Sequence, residues 1–235
     1  MKVLVTRPVE DGTRTIKRLK EVGIEAILAP VTAIVGTGNA VPLMNFDAIL
    51  ISSANAIRHL PEPARAALIS IPTFCVGEKT ASIARDAGFT SVTTGTGDGR
   101  ALVNLVASKF QAPAFLLYLT GTPRKPFIED GLRAKGFNPI VVELYQTILI
   151  DPWSGAARLE VESCDYGLHF SRASVEALLK AVENVGLSHF LRGLNHLCLS
   201  EDVATPLREA GYPKILVAPK PTEEDLIALL HIKET

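Results

Sequence analysis

Short apolar runs rich in Val, Ile, Leu and Phe alternate along this chain with longer stretches in which apolar residues recur every three or four positions. A run of four to six such residues predicts a strand buried on both faces, and the longer period predicts the helix that covers it; alternation of the two is the mark of parallel sheets. Ten runs are predicted as strands: VLVT from Val3, EAILAP from Glu25, AILIS from Ala48, TFCVG from Thr73, SVTT from Ser91, FLLYLT from Phe115, IVVEL from Ile140, GLHFS from Gly167, LCLS from Leu197 and ILVAP from Ile215. Several helical stretches end on glycine, as in TRTIKRLKEVG at Gly23, TASIARDAG at Gly88 and GLRAKG at Gly136, where a C-terminal cap needs a left-handed residue.

The pattern is duplicated. A shift of 123 lays TFCVGEKTASIARDAG from Thr73 on HLCLSEDVATPLREAG from His196, pairing Cys75 with Cys198, Glu78 with Glu201, Arg85 with Arg208 and Gly88 with Gly211. A shift of 118 pairs Asp47, Leu50 and Ser53 with Asp165, Leu168 and Ser171, and one of 113 pairs Leu4, Leu19 and Gly23 with Leu117, Leu132 and Gly136. The chain therefore reads A, B, A′, B′, with two strands in A and three in B. One A with one B makes a five-stranded doubly wound sheet, and the chain makes two. Which A joins which B is left open by the residues. Two β-branched connectors, PVTAIVGTG from Pro30 and LYQTILIDP from Leu144, occupy equivalent places and can each cross from one domain to the other.

Composition narrows the function. Lys and Arg number 24 against 25 Asp and Glu, so no global basic field exists to hold a nucleic acid, and any anion must be bound locally. At 47% hydrophobic and 21% charged, the 235 residues can bury a sizeable core and are expected to fold alone. Cys75, Cys164 and Cys198 form no CxxC pair and sit in or beside apolar runs, which predicts reduced thiols in a cytoplasmic protein. No apolar run reaches membrane-spanning length and the first residues lack the pattern of an export signal, so a soluble, unexported protein is expected.

Ligands of open α/β sheets bind beyond the carboxyl ends of the strands. The residues there are small and hydroxylic. Thr6 and Arg7, Ser52 and Ser53, Gly77, Lys79 and Thr80, the segment from Thr94 to Gly97, Thr120, Gly121 and Arg124, Ser171 and Arg172, Ser200, and Lys220 all end or follow predicted strands. Such turns open helices, whose first N–H groups seat carboxylate or phosphate. The ordinary alternative for each Ser or Thr is an N-cap, and only the ensemble points to a polyanion. GTGDGR from Gly95 has Arg100 where a dinucleotide loop needs its last glycine, and no P-loop, nucleophile elbow or metal-binding histidine spacing occurs. His169 and His196 read as structural. Arg7, Arg124 and Arg172 are candidates to pair carboxylates, and Trp153 is expected to cover the connector. Tyr145 lies in a connector, where a phenol can act as a hydrogen-bond donor or weak acid; an aromatic plug at a hinge is the alternative.

VLVTRP at the start, DAILISSANAI from Asp47, VGEKTASIARDAG from Val76, YLTGTPRKPFIEDGLRAKG from Tyr118, ELYQT from Glu143, HFSRASVEALL from His169 and PKPTEEDLIALL from Pro219 together resemble uroporphyrinogen-III synthases, nearly end to end. The resemblance implies two similar α/β domains, each a parallel five-stranded sheet flanked by helices. One is discontinuous (1–35 with 151–235) and one inserted (38–144), joined by a two-stranded β linker (30–38 and 144–151). It also implies closure of the linear tetrapyrrole hydroxymethylbilane to uroporphyrinogen III, with inversion of ring D through a spiro intermediate and loss of water, by a monomer without cofactor or metal. Tyr145 falls on the family's acid and Thr80 on a threonine near the ligand. Val203 replaces that threonine in the second repeat. Ser53, Ser171 and Arg7 are carried over as substrate-binding, beside Lys79, Thr120, Gly121 and Ser200 from the strand ends. A non-catalytic two-domain binder of a small polyanion is the reading from another class.

Overall fold

The computed structural model describes residues 1–151, 153 and 157–231, and each of the ten runs forms a strand. In chain order the elements are β1 (Lys2–Val5), α1 (Val9–Glu21), β2 (Glu25–Leu28), β3 (Thr32–Gly36), β4 (Ala48–Ile51), α2 (Ala54–Arg58), α3 (Glu62–Leu68), β5 (Thr73–Cys75), α4 (Glu78–Asp86), β6 (Val92–Thr94) and α5 (Gly99–Lys109). The chain continues with β7 (Leu116–Thr122), α6 (Phe127–Ala134), β8 (Ile140–Leu149), α7 (Ala157–Glu162), β9 (Tyr166–His169), α8 (Arg172–Asn184), α9 (Ser188–Gly193), β10 (Asn195–Cys198), α10 (Glu201–Glu209), β11 (Ile215–Val217) and α11 (Glu223–Ala228). Contacts divide it into two compact units, Met1–Ala33 with Ile148–Thr235, and Ile34–Thr147.

The first unit holds a parallel sheet in the order β11-β10-β9-β1-β2, and the second a sheet in the order β3-β8-β7-β4-β5-β6. Within the second sheet β8, β7, β4, β5 and β6 are parallel. The two orders superimpose when β9, β10 and β11 are set against β4, β5 and β6, and β1 and β2 against β7 and β8, so A packs with B′ and B with A′.

The second sheet has six strands where five were expected. The cause is local: β8 runs unbroken for ten residues, from the core strand IVVEL into the connector, and β3, which carries the other connector, lies beside it. Thr37 N donates to Leu144 O at 3.1 Å. The two connectors, for which the resemblance implied a separate two-stranded linker, thus pair with each other as an extension of the second sheet's edge. Pro152, at the end of the second connector, lies outside the described residues.

Helices cover both faces of each sheet, and the cores follow from that. In the first unit Leu4, Val175, Leu178 and Leu207 pack on one face, and Val3, Val5, Leu19 and Leu226 on the other. In the second, Ile49, Ile51, Ala81 and Leu117 pack on one face, and Leu50, Leu102, Tyr118 and Leu132 on the other. Gly12 lies inside α1 because a Cβ there would come within 2.3 Å of Leu28 Cδ1, so glycine lets α1 approach β2. Gly23, Gly88 and Gly136 all have positive φ at helix ends, as their positions predict. Trp153 is buried in the first core. The three thiols are free and buried; desolvation pushes Cys75 and Cys198 up to about 12 and Cys164 to about 11.

His169 and His196, on β9 and β10, form a buried pair. The Leu191 carbonyl can only accept, so His196 Nε2 carries the proton of their 2.9 Å bond; His196 Nδ1 then accepts from His169 Nε2 at 2.9 Å. Among the described residues His169 Nδ1 has no partner, and it is buried. Burial, then the neighbouring ring, holds His169 well below its ordinary value, and burial brings His196 down to about 4 despite the carbonyl. The unfolded chain therefore takes up protons between pH 6.5 and 4 that the folded chain refuses, and stability falls as pH falls through that window. His196 alone should cost about 3 kcal/mol of unfolding free energy by pH 4. Denaturant titrations at pH 7, 5.5 and 4 measure this loss, and neither ring should titrate between pH 8 and 5 in imidazole NMR spectra.

Candidate functional site

The strand-end candidates lie at the carboxyl ends of their sheets, with Arg7, Ser171 and Ser200 on adjacent strands of the first unit and Thr80, Lys79, Ser53, Thr120, Gly121 and Tyr145 in the second. Several of them are engaged by their own fold. Ser53 and Ser171 are N-caps: each side-chain oxygen accepts from the backbone of its own helix, Asn55 N and Ser174 N, both at 3.2 Å. Arg7 lies over the Phe170 ring at 4.0 Å, bonds Thr15 Oγ1 at 3.0 Å and pairs with Asp11 and Glu223, both at 3.4 Å. Its guanidinium fastens α1 and α11 to the end of β1. Arg172 pairs with Glu176 and Asp202.

Among the described helices of eight or more residues, α1, α4, α6 and α10 start without a side-chain cap, α1 and α6 after a proline. α4 begins at Gly77 and α10 at Ser200, the equivalent places of the two B units. Gly77 lies in a tight pair of loops: Gly95 N and Gly97 N donate to Cys75 O and Val76 O at 2.7 and 2.9 Å. A Cβ on Gly95 would meet Val76 O at 3.0 Å. Small residues thus let the β6–α5 loop lie across the start of α4, where the first N–H groups carry partial positive charge suited to a carboxylate. Thr80 is buried in the first turn and Lys79 is exposed beside it.

At the ends of β7 and β8 the sheet places an aromatic ring directly on a backbone. Thr120 is in register with Glu143, but Gly121 is in register with Tyr145, so Leu144 is the extra residue of a bulge. In unbroken register Leu144 would face Gly121; the bulge brings Tyr145 there instead. A Cβ on Gly121 would lie 2.2 Å from Tyr145 Cζ and 2.3 Å from Cε2, so the phenol ring occupies the space that every other residue would fill. His59, at the end of α2, stacks with the same ring, with centroids 6.3 Å apart and planes at 28°. Tyr145 is half-buried and, among the described residues, its hydroxyl has no hydrogen-bond partner. It is a packed ring with an unengaged phenol.

Beside it, three hydroxyls close on one another. Tyr118 OH donates to Ser52 Oγ at 2.9 Å, Thr120 Oγ1 donates to Tyr118 OH at 3.2 Å, and Ser52 and Thr120 are 3.3 Å apart. Burial raises the Tyr118 phenol above its ordinary range, against the bonds to Ser52 and Thr120, so it stays protonated at neutral pH. Sequence reading missed Tyr118 and His59. Tyr118 sits two residues before Thr120 on the same strand, a spacing that places both on one face; nothing in the sequence marks His59. Among the described residues no group of three or more His, Cys, Asp or Glu side chains could hold a metal ion, and no helix is long and apolar enough to cross a membrane.

Two α/β sheets whose five parallel strands correspond in order, with hydroxyls and helix starts at their carboxyl ends, define a duplicated doubly wound α/β fold. Comparison with known proteins gives the family. The family model described as uroporphyrinogen-III synthase HemD matches residues 13 to 228, and the chain belongs to that family. Among solved structures it is similar to the uroporphyrinogen-III synthetase of Helicobacter pylori 26695, at 17% identity over 98% of both chains with a TM-score of 0.71. It is also similar to a mutant uroporphyrinogen III synthase of the extreme thermophile Thermus thermophilus, at 16% identity over 98% of this chain and 97% of that one, with a TM-score of 0.60. At these identities the likeness concerns the fold. No curated protein sequence matches.

Gly121→Ala puts a methyl group inside the Tyr145 ring. The ring must leave its seat or the strands must part, which should cost about 1–3 kcal/mol of stability, read by denaturant unfolding. If the ring instead tolerates the methyl group, the midpoint will not move.

Proposed function

We infer that this chain is the enzyme of its family: it closes hydroxymethylbilane to uroporphyrinogen III, inverting ring D and releasing water. Membership of the family over nearly the whole chain supports this reading, and the observation that carries its mechanism is the unpartnered phenol of Tyr145 packed on Gly121. Domain bounds of 1–35 with 151–235 and of 38–144, joined by connectors 30–38 and 144–151, belong to the same reading, as does action by a single chain in the cytoplasm without a cofactor.

The chemistry asks little of side chains. Departure of the hydroxyl from ring A leaves an azafulvene that is already electrophilic, and protonation of that hydroxyl by Tyr145 turns the leaving group into water. The carbon–carbon bond then forms at the substituted α carbon of ring D rather than at the free one, giving the spiro intermediate. In that intermediate the older bond from the same carbon, to the methylene shared with ring C, breaks; the methylene then bonds the free α carbon of ring D, which turns the ring over, and the proton lost from that carbon balances the one the phenol gave. Choosing the hindered carbon is a matter of orientation, for which preorganisation supplies several kcal/mol. In the second unit the seats for orientation are the first N–H groups of α4, with Thr80 in its first turn and Lys79 beside it. The eight substrate carboxylates suit donors of this kind, since the net charge of −1 offers no general attraction. Ser53, Ser171, Ser200, Thr120 and Arg7 complete the proposed substrate-binding set. Ser53, Ser171 and Arg7 also support the strand ends, through the bonds that they make within the fold.

The test is the product. Fresh hydroxymethylbilane given to the purified protein should yield the type III isomer, and formation of type I alone, as in the unassisted reaction, would reject the assignment. Tyr145→Phe removes one hydroxyl and leaves the ring on Gly121, so the fold should be unchanged while turnover falls about 100-fold, the usual scale for losing a general acid. Turnover at the parent rate would take the phenol out of the mechanism.

A further inference from the structure

Arg124 lies where the two strands that carry this phenol meet, and its bonds are to the residues that set the ring. Its Nη1 donates to the Gly121 carbonyl at 3.2 Å and pairs with Glu143. Glu143 is two residues before Tyr145 on β8, and Gly121 is the residue on β7 beneath the ring. On its other side the guanidinium grips Glu129 in the first turns of α6, with Nε and Nη2 at 2.8 and 2.6 Å from Oε1. Glu129 is 3% exposed, and among the described residues its Oε2 has no partner. A carboxylate so buried is costly unless paired, so Glu129 serves as a fixed anchor for Arg124 rather than as a surface charge. The other side of β8 is held as well: Glu143 O accepts from Thr37 Oγ1 at 2.6 Å and from Asn39 Nδ2 at 2.8 Å.

We propose that Arg124 is the positioning residue of the Tyr145 acid: anchored on buried Glu129, it ties Gly121 of β7 to Glu143 of β8 and so fixes the bulge that aims the phenol. This rests on the reading of Tyr145 as the acid. The fork matters as much as the charge, because one planar group must reach a carbonyl and two carboxylates at once, which an ammonium on a flexible stem does not reproduce. The β7–β8 hydrogen bonds alone leave the bulge free to slide by one residue, which would move Leu144 onto Gly121.

Arg124→Met leaves Glu129 buried and unpaired and can fail to fold for that reason alone. The variant that tests the idea is therefore Arg124→Met with Glu129→Leu, which removes the buried ion pair as a unit and keeps apolar volume. With hydroxymethylbilane as substrate its kcat should fall about tenfold while KM stays within about twofold, since a small misplacement of the acid touches turnover and leaves the substrate seats alone. Adding Tyr145→Phe to this variant should cause no further loss beyond that of Tyr145→Phe by itself, because both changes remove the same contribution. Arg124→Lys, which keeps a cation on Glu129, should fold as the parent does and still lose kcat. Parent kcat in the Arg124→Met, Glu129→Leu variant overturns the proposal, and so does a loss that multiplies with that of Tyr145→Phe. If Tyr145→Phe alone turns over at the parent rate, the reading of the acid fails first and takes this one with it; if Tyr145→Phe is impaired and the Arg124 variants are not, only this one fails.

Discussion

The contact between the ring of Tyr145 and the α carbon of Gly121 governs the arrangement of the second sheet's working end. A ring can lie there only if its neighbour has no side chain, if the strands are out of simple register by one residue, and if something holds that register. Each requirement is visible: glycine at 121, the bulge at Leu144, and the hydrogen bonds and ion pairs that bind Glu143 and Gly121 from both sides. The arrangement leaves the apolar part of the tyrosine buried and its hydroxyl unengaged. That separation suits the acid proposed here, because a phenol satisfied by a permanent partner would lose the orientation available to a substrate.

The duplication shows how unequally the two units have been equipped. Their strand orders correspond, and so do Ser53 and Ser171 as caps, Glu78–Arg85 and Glu201–Arg208 as ion pairs, and the bare starts of α4 and α10. The differences lie at the tips. Val203 stands where the first copy has Thr80, and a shift of 113 sets Arg7 against Thr120 and Pro8 against Gly121. Arg7 is consumed in holding helices to a strand, whereas Thr120 joins a hydroxyl cluster and Gly121 carries the phenol. Scaffold features are thus kept in both copies, and the features with available chemistry are concentrated in one.

What could be read in the sequence follows the range of the forces involved. Strand existence, helix-ending glycines and the internal repeat were legible because each is a local periodicity or a backbone requirement. The sixth strand was not, since IVVELYQTIL gives no sign of where a core strand stops and a connector begins; only the pairing with β3 decides it. Tyr145 stood out from its position, but its seat did not, because the bulge is a property of the pairing of two strands and not of either strand's own sequence. Likewise Arg7 looked available as a carboxylate receptor, and its partners Glu223 and Phe170 are 216 and 163 positions away. Charged side chains at strand ends are the hardest to read, because occupancy by the protein's own acids is a tertiary fact.

That last point bears on how a near-neutral protein manages a substrate with eight carboxylates. Arg7, Arg124 and Arg172, the cations at strand ends that looked suited to the task, are each held by at least two acids of the chain itself. Releasing any of them to a ligand would strip a partner from a carboxylate, and for Glu129 that carboxylate is buried, so the exchange would gain one ion pair and leave another charge uncompensated. Backbone N–H groups at helix starts carry no such debt: their donors are unsatisfied by construction and their positive end is fixed by the helix. Recognition through the main chain also tolerates drift of side chains, provided glycine or another small residue keeps the approach open. Such a site preserves geometry rather than residue identity, which agrees with a fold shared at 16–17% identity.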